Sequence, residues 1–363
     1  MLLRLLGRID RTKFFPYVIS LTDIGEIGSR IAALGVPVEA LGMRRGVPDP
    51  IRFLRLVRRL RQVKPDVVHT WMYHANLMGG SAARLAGVPA VIWAIYSSGL
   101  LRANTSLLTK LTVSWCAKLS SWLPDCVQYD SHHGKAYHEK IGYREHCSLV
   151  IPNGVDLETF TPNEQARHDV RHELGISSNT PLIGLIGRFD PIKNHAGFIK
   201  AAGFLHCNRP DAHFLMAGKD VEWSNPVLQK LIEAARLTGV FHLLGLRADI
   251  PRITASLDLA SLTSWSEAFG IVLIEAMACG VPCVSIDAGE QALILADTGW
   301  IVPVGDMAGI AARWAAFLTL PENERRLIGA RARARAMDKF ELGVVVKRYE
   351  AMYLDVVKKK FPK

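Results

Sequence analysis

Two acids stand eight residues apart in the stretch SEAFGIVLIEAMACGVP, Glu267 in a loop and Glu275 inside an apolar segment. The segment IVLIEAMACG has the length and composition of a short helix, closed by Gly280 and Pro282. The amides that open a helix lack intrahelical partners and carry partial positive charge, so those around Phe269, Gly270, Ile271 and Val272 can hold a phosphate. Glu267 borders the same space. Glu275, about one turn inside the helix, can aim its carboxylate there and accept hydrogen bonds from neutral hydroxyls. Two hydroxyl-reading carboxylates with an amide cradle between them suit a sugar joined through phosphates to a ribose. The alternative is an ordinary amphipathic helix with one acid stabilising its dipole; against it stands the placing of Glu275 between Ile274 and Ala276.

Cations occur where such a ligand would need them. LIGLIGRFDPIKNH reads as a buried strand that breaks at Gly187 and then offers Arg188 and Lys193, two charges able to neutralise a diphosphate that Gly187 lets the backbone approach. A turn with two exposed cations is the other reading. LMAGKD ends a second strand, and Gly218 makes similar room there. His69 and His74, in HTWMYH at another strand end, could touch an acceptor or be structural histidines bonded to backbone. No metal is assigned to them or to His132 and His133.

The elements that would position these groups form one pattern used twice. FPYVISLT, VPVEAL, PDVVHTW, PAVIWAIY, DCVQYDS and CSLVIPNG alternate with helical stretches, and the alternation resumes with PLIGLIG, AHFLMAG, VFHLLG, LDLASLTS and PCVSID. Nearly continuous apolar strands joined through helices mean parallel sheets covered on both faces, here two doubly wound α/β domains. Strand character stops near NGVDLETFTPNEQARHDV, which divides the chain into domains over 1–160 and 161–340. A ligand would lie at the carboxyl ends of the strands, in the cleft.

Composition narrows the function classes. The chain has 363 residues, 49% of them hydrophobic and 21% charged, which is globular and argues against disorder. No apolar run is long enough to span a membrane, and the first residues lack the apolar block of a signal peptide, so a cytoplasmic protein is expected. Cysteines 116, 126, 147, 207, 279 and 283 show no paired spacing and read as small buried residues rather than zinc ligands or disulfides. The formal charge is +10, and residues 1–64 hold 13 Lys and Arg against 5 Asp and Glu. PDPIRFLRLVRRLRQV reads as an amphipathic helix with Ile51, Leu54, Val57 and Leu60 on one side and arginine on the other. It is either a solvated surface helix or a peripheral contact with an anionic membrane or a phosphorylated acceptor. Nucleic acid is disfavoured, because no helix-turn-helix and no aromatic residues interleave with the basic ones.

The stretches EAFGIVLIE, GRFDPIKNH, IPNGVD, PDVVHTWMYHANLMGG and DTGWIVPVGD together resemble the GT4 family of retaining glycosyltransferases, with the GT-B fold, over almost the whole chain. The resemblance implies transfer of a sugar from a nucleotide-sugar donor to a polysaccharide or lipid-linked oligosaccharide acceptor, with retained configuration and without a metal or other cofactor. It implies that Arg188 and Lys193 hold the donor diphosphate, Glu275 the ribose, and Glu267 with the amides of Phe269, Gly270, Ile271 and Val272 the transferred sugar. The backbone near Arg247 and Ile250 would meet the base, and a last helix, about 341–363, would pack back on the first domain. No D-x-D pair occurs, as metal-free chemistry would have it.

The chain departs from the family pattern in three places. The resemblance implies a first strand and glycine-rich loop of the N-terminal domain ahead of the present start. Ser97, Ser98 and Gly99 stand where relatives often carry a histidine or acid near the sugar, and Leu293 where an acid is common. A non-catalytic nucleotide-sugar-binding subunit is therefore the rival expectation, and a sugar-nucleotide epimerase a weaker one.

Overall fold

The computed structural model describes residues 1–44, 47, 49–97, 105–145 and 148–360; Ser98, Gly99 and Cys147 lie outside them. The chain forms two compact units, Met1–Gly154 with Leu342–Lys363, and Val155–Glu341. The division falls at 154/155 rather than 160/161, because Val155 already pairs with Phe340 and Glu341 inside the second unit.

The first unit holds β1 (Val18–Ser20) and β2 (Val38–Ala40), a separate parallel pair, and β3 (Val67–Trp71), β4 (Ala90–Ile95), β5 (Cys126–Tyr129) and β6 (Ser148–Val150), parallel in that order. All six residues of β4, AVIWAI, are buried, as a strand covered on both faces requires. One face packs Val91, Trp93 and Ile95 against the preceding helices. Against the other, with Ala90 and Ile92, lie Leu5 of the first helix and Val345, Val346, Tyr349 and Met352 of the Leu342–Lys360 helix.

The second unit holds β7 (Leu182–Ile186), β8 (His213–Ala217), β9 (Phe241–Leu243), β10 (Leu259–Leu262), β11 (Cys283–Ile286) and β12 (Trp300–Val302). Their order is β12-β11-β10-β7-β8-β9, all parallel. The direction of winding reverses between β7 and β10, so the connections leaving these two neighbours diverge and a crevice opens at their carboxyl ends. The amino ends are tied down by one carboxylate: Asp258 accepts from Arg167 at 2.6 Å, from the nearly inaccessible Arg171 at 2.7 Å and from the Leu182 amide at 2.7 Å. Phe198, Phe214, Phe241 and Trp314 fill one side of the sheet, and Leu273, Ile274 and Met277 the other.

Three expectations change. β12 was not among the strands read from the sequence. The Pro50–Val63 helix buries Leu56, Val57 and Leu60, while Ile51 and Leu54 face solvent beside the arginines. Cys116, Cys126, Cys279 and Cys283 are buried as expected, but Cys207 is exposed.

Candidate active site

The loops that follow β7 and β10 are sewn together at the reversal point. Asn194, held in the left-handed region at φ 53°, donates its side-chain amide to the Thr263 carbonyl at 3.1 Å, and the Thr263 hydroxyl returns a bond to the Asn194 carbonyl at 3.0 Å. The Trp265 amide donates to the Ile192 carbonyl at 2.8 Å. These bonds bring Lys193 to Glu267: Nζ donates to Oε2 at 2.5 Å, with both side chains more than four-fifths buried. Ser264 Oγ donates to the same Oε2 at 3.3 Å. The cation and the acid singled out separately in the sequence are thus one pair, partly withdrawn from water, where each charge counts for more than on the surface.

Arg188 lies on the open side of the loop, 57% exposed, and bonds Asp190 Oδ2 at 3.0 Å, while Asp190 Oδ1 accepts from the Ile192 amide. Close backbone approach explains Gly218. A Cβ there would meet the Gly187 carbonyl oxygen at 2.3 Å, whereas a Cβ on Gly187 itself would meet nothing nearer than the Lys193 side chain at 3.9 Å. The buried His195, at the start of the next helix, reaches the Gly187 carbonyl with Nε2 at 3.3 Å, and burial lowers its pKa, leaving the ring neutral. His195 and Asp190 were missed as site residues, although both stand in the quoted GRFDPIKNH.

The helix carrying the second acid spans Ile271–Ala278. Gly270 precedes it at φ 83° and supplies no side-chain cap, so the first amides, including Ile271 and Val272, are left for another acceptor. Phe269 turns its ring inward onto Phe340, at 6.2 Å between centroids, and offers a ligand only its backbone. Glu275 is buried within the helix. The loop after β11 also closes on this turn: the Glu267 amide donates to the Ala288 carbonyl at 3.0 Å, and Gln291 Oε1 accepts from the Ala288 amide at 3.2 Å. The fully buried Gln291 leaves Nε2 without a partner beside Gly270. Leu293, at the position where the resemblance implies an acid, is exposed.

Beyond β9, Arg247 is committed to Asp249, through two bonds of 2.8 and 2.9 Å, and to Glu173 at 2.5 Å. These carboxylates raise its pKa further, and only its backbone is available to a base. Ile250 opens the next helix.

In the first unit the histidines part company. His69 is half-buried, its ring among Trp71, Tyr349 and Tyr353 with Nε2 inaccessible and Nδ1 2.9 Å from the Tyr353 hydroxyl, and loss of water around the ring pushes its pKa down to about 3. It leaves the acceptor set, because its ring is packed beneath the Leu342–Lys360 helix. His74 is exposed at the start of the Tyr73–Ala86 helix. The Ser97 carbonyl lies against Gly134, in the first turn of the His132–Lys140 helix. Among the described residues no cluster of His, Cys, Asp or Glu could hold a metal ion, and no helix is long and apolar enough to cross a membrane.

Two family models match the chain, glycosyltransferase family 4 over residues 1–159 and glycosyl transferases group 1 over residues 166–335. An Escherichia coli enzyme named UDP-Gal:alpha-D-GlcNAc-diphosphoundecaprenol alpha-1,3-galactosyltransferase is 28% identical over 86% of this chain and 81% of its own. An Anabaena protein solved in complex with UDP-glucose superposes with TM-score 0.82 at 21% identity, covering 97% of this chain and 95% of that one. A Rickettsia africae glycosyltransferase gives TM-score 0.84 at 18% identity over 98% and 93%. The structural likeness extends through both units and makes the fold GT-B. With both halves matched and a crevice at the β7/β10 reversal, the chain belongs to the group 1, family 4 glycosyltransferases, enzymes that transfer sugars.

Proposed function

We propose that the protein moves a sugar from a UDP-sugar to a lipid-linked oligosaccharide or polysaccharide acceptor, retaining the anomeric configuration and needing no metal. The observation that carries this reading is the Lys193–Glu267 pair held beside an uncapped helix start at the β7/β10 crevice. The relatives add the donor: one is named for UDP-Gal and a diphosphoundecaprenol acceptor, and another was solved with UDP-glucose.

Each group has a task in this scheme. Lys193, Arg188 and the amides from Phe269 to Val272 surround the diphosphate. Glu267 accepts from a hydroxyl of the transferred sugar and Glu275 from the ribose. As the bond between the anomeric carbon and the diphosphate oxygen breaks, its electron pair goes to that oxygen, where fixed cations and amides stabilise it. The acceptor oxygen attacks the same face of the anomeric carbon and gives its proton to the departing phosphate oxygen, so no nucleophile from the protein is consumed. Charge that a metal would neutralise elsewhere is met here by Lys193 and Arg188.

Turnover of donor by the purified chain in EDTA tests the scheme together with Lys193→Ala and Arg188→Ala. Activity should persist in EDTA. Each substitution should lower kcat about two to three orders of magnitude, the usual effect of losing one preorganised contact to developing charge. Strict dependence on an added divalent ion, or full turnover in the double variant, would overturn it.

A further inference from the structure

The Leu107–Leu119 helix of the first unit is apolar on both sides. Thr112, Val113, Cys116 and Ala117 are buried in the core. On the opposite side Leu107, Leu111 and Trp115 follow at intervals of four, one line down the helix, and are 73%, 48% and 54% exposed. The turn beyond the helix adds Trp122, 80% exposed. A helix apolar all round is normally covered all round. Among the described residues this one is covered on one side.

Charge indicates what covers the other. The helix carries Lys110 and Lys118 and neither Asp nor Glu. Lys118 Nζ sits 5.6 Å over the Trp115 ring, and Arg144 donates to the Ser121 carbonyl at 2.9 Å, next to Trp122. Packing the face against a second copy would bring lysines together with no acid on the helix to oppose them. Indole rings edged by a lysine and an arginine instead fit the boundary between hydrocarbon and negatively charged headgroups, where apolar stems enter and cationic groups stay at the surface. The arginine-rich Pro50–Val63 helix suits this less well. It exposes Ile51 and Leu54 but no aromatic ring, and Arg52 and Arg59 already serve Asp49 and Glu39.

We propose that the Leu107–Trp122 face seats the first unit on an anionic lipid bilayer, with Leu107, Leu111, Trp115 and Trp122 entering the headgroup layer and Lys110 and Lys118 pairing with lipid phosphates. The inference rests on the lipid-linked acceptor reading, since an enzyme with such an acceptor must meet it at a membrane. The test is sedimentation of the full chain with vesicles of mixed phosphatidylglycerol and phosphatidylcholine, compared with phosphatidylcholine alone. Binding should favour the mixed vesicles, with a blue shift of tryptophan emission. Lys110→Gln with Lys118→Gln should lower the partition constant about 25-fold, about fivefold for each lysine near a charged surface. Trp115→Ser with Trp122→Ser should lower it at least about tenfold, from lost apolar burial. Equal binding to both vesicle types, or undiminished binding by both variants, overturns the proposal. So does a lipid-free dimer that the tryptophan substitutions dissociate, which would give the face to a second copy. UDP binding by calorimetry should be unchanged in these variants, whose substitutions lie outside the second unit. An unaltered chain that binds mixed vesicles but neither binds UDP nor turns over donor would sink the transfer reading and leave the surface standing.

Discussion

At the level of single residues, Glu275 gives the sharpest test of the donor assignment. A carboxylate that reads ribose hydroxyls contributes about 1.5–3 kcal/mol, so Glu275→Ala should weaken UDP binding roughly ten- to 150-fold in calorimetry, with little change in the ligand-free Tm. Unchanged affinity would remove the ribose role, and a collapsed Tm would make the residue structural. His69 supports a pH prediction. It is neutral in both folded and unfolded chains above its ordinary pKa near 6.5, and below that only the unfolded chain takes up the proton, because burial holds the folded value near 3. Stability is therefore kept above about pH 6.5 and lost as pH falls toward 3, by up to about 1.4 kcal/mol per pH unit from this group. The buried His138 and His195 and the half-buried His242 slope the same way. The difference in Tm between pH 7 and pH 5 should thus shrink, not vanish, in His69→Gln; an unchanged difference would contradict the assignment. The acids and cations of the site were legible because their types are unusual beside apolar strands. Their pairing was not, since Lys193 and Glu267 lie 74 positions apart and meet only through the hydrogen bonds between their loops.

Among elements, the two strands that carry the site depend on a single buried acid at the opposite end of the sheet. Asp258→Ala would leave Arg171 without its counter-charge; its guanidinium is nearly inaccessible, its pKa is already lowered by burial, and its remaining partners are the backbone carbonyls of Ser177, Ser178, Thr180 and Ser256. Breaking such a pair from one side costs about 3–5 kcal/mol. Chemical denaturation should show that loss, and a loss under about 1 kcal/mol would mean those carbonyls suffice to hold the charge. Continuous apolar runs made most strands readable before the fold was seen. β12 escaped because its short apolar run, Trp300–Val302, lies between Gly299 and Pro303 in the turn-rich stretch DTGWIVPVGD. The Pro50–Val63 helix was recognised as a helix but turned wrongly: Leu56 and Phe53 pack inward where Ile51 and Leu54 had been placed. Ile51 and Leu54 share the arginine-bearing half of that helix, and their apolar character suggests a stripe that the buried Leu56, Val57 and Leu60 do not follow.

For the molecule as a whole, two units with separate cores predict two unfolding transitions. Nucleotide should raise only the one belonging to residues 155–341, by about 2.7 kcal/mol at a concentration one hundred times Kd. Calorimetry with and without UDP checks this, and an equal rise in both transitions would contradict a donor site built by the second unit. The units also differ in continuity. The second is a single stretch of chain, whereas the first waits for Val345, Val346, Tyr349 and Met352 to cover Ala90 and Ile92. On the ribosome, where chains grow by about 5–20 residues each second, the first unit therefore emerges early and is completed last, with one face of its sheet bare for roughly 10–40 s. The later unit can finish folding during that interval. A message broken after codon 341 would release a protein with an intact donor half and a permanently uncovered sheet, a substrate for chaperones and proteases before it could ever be an enzyme.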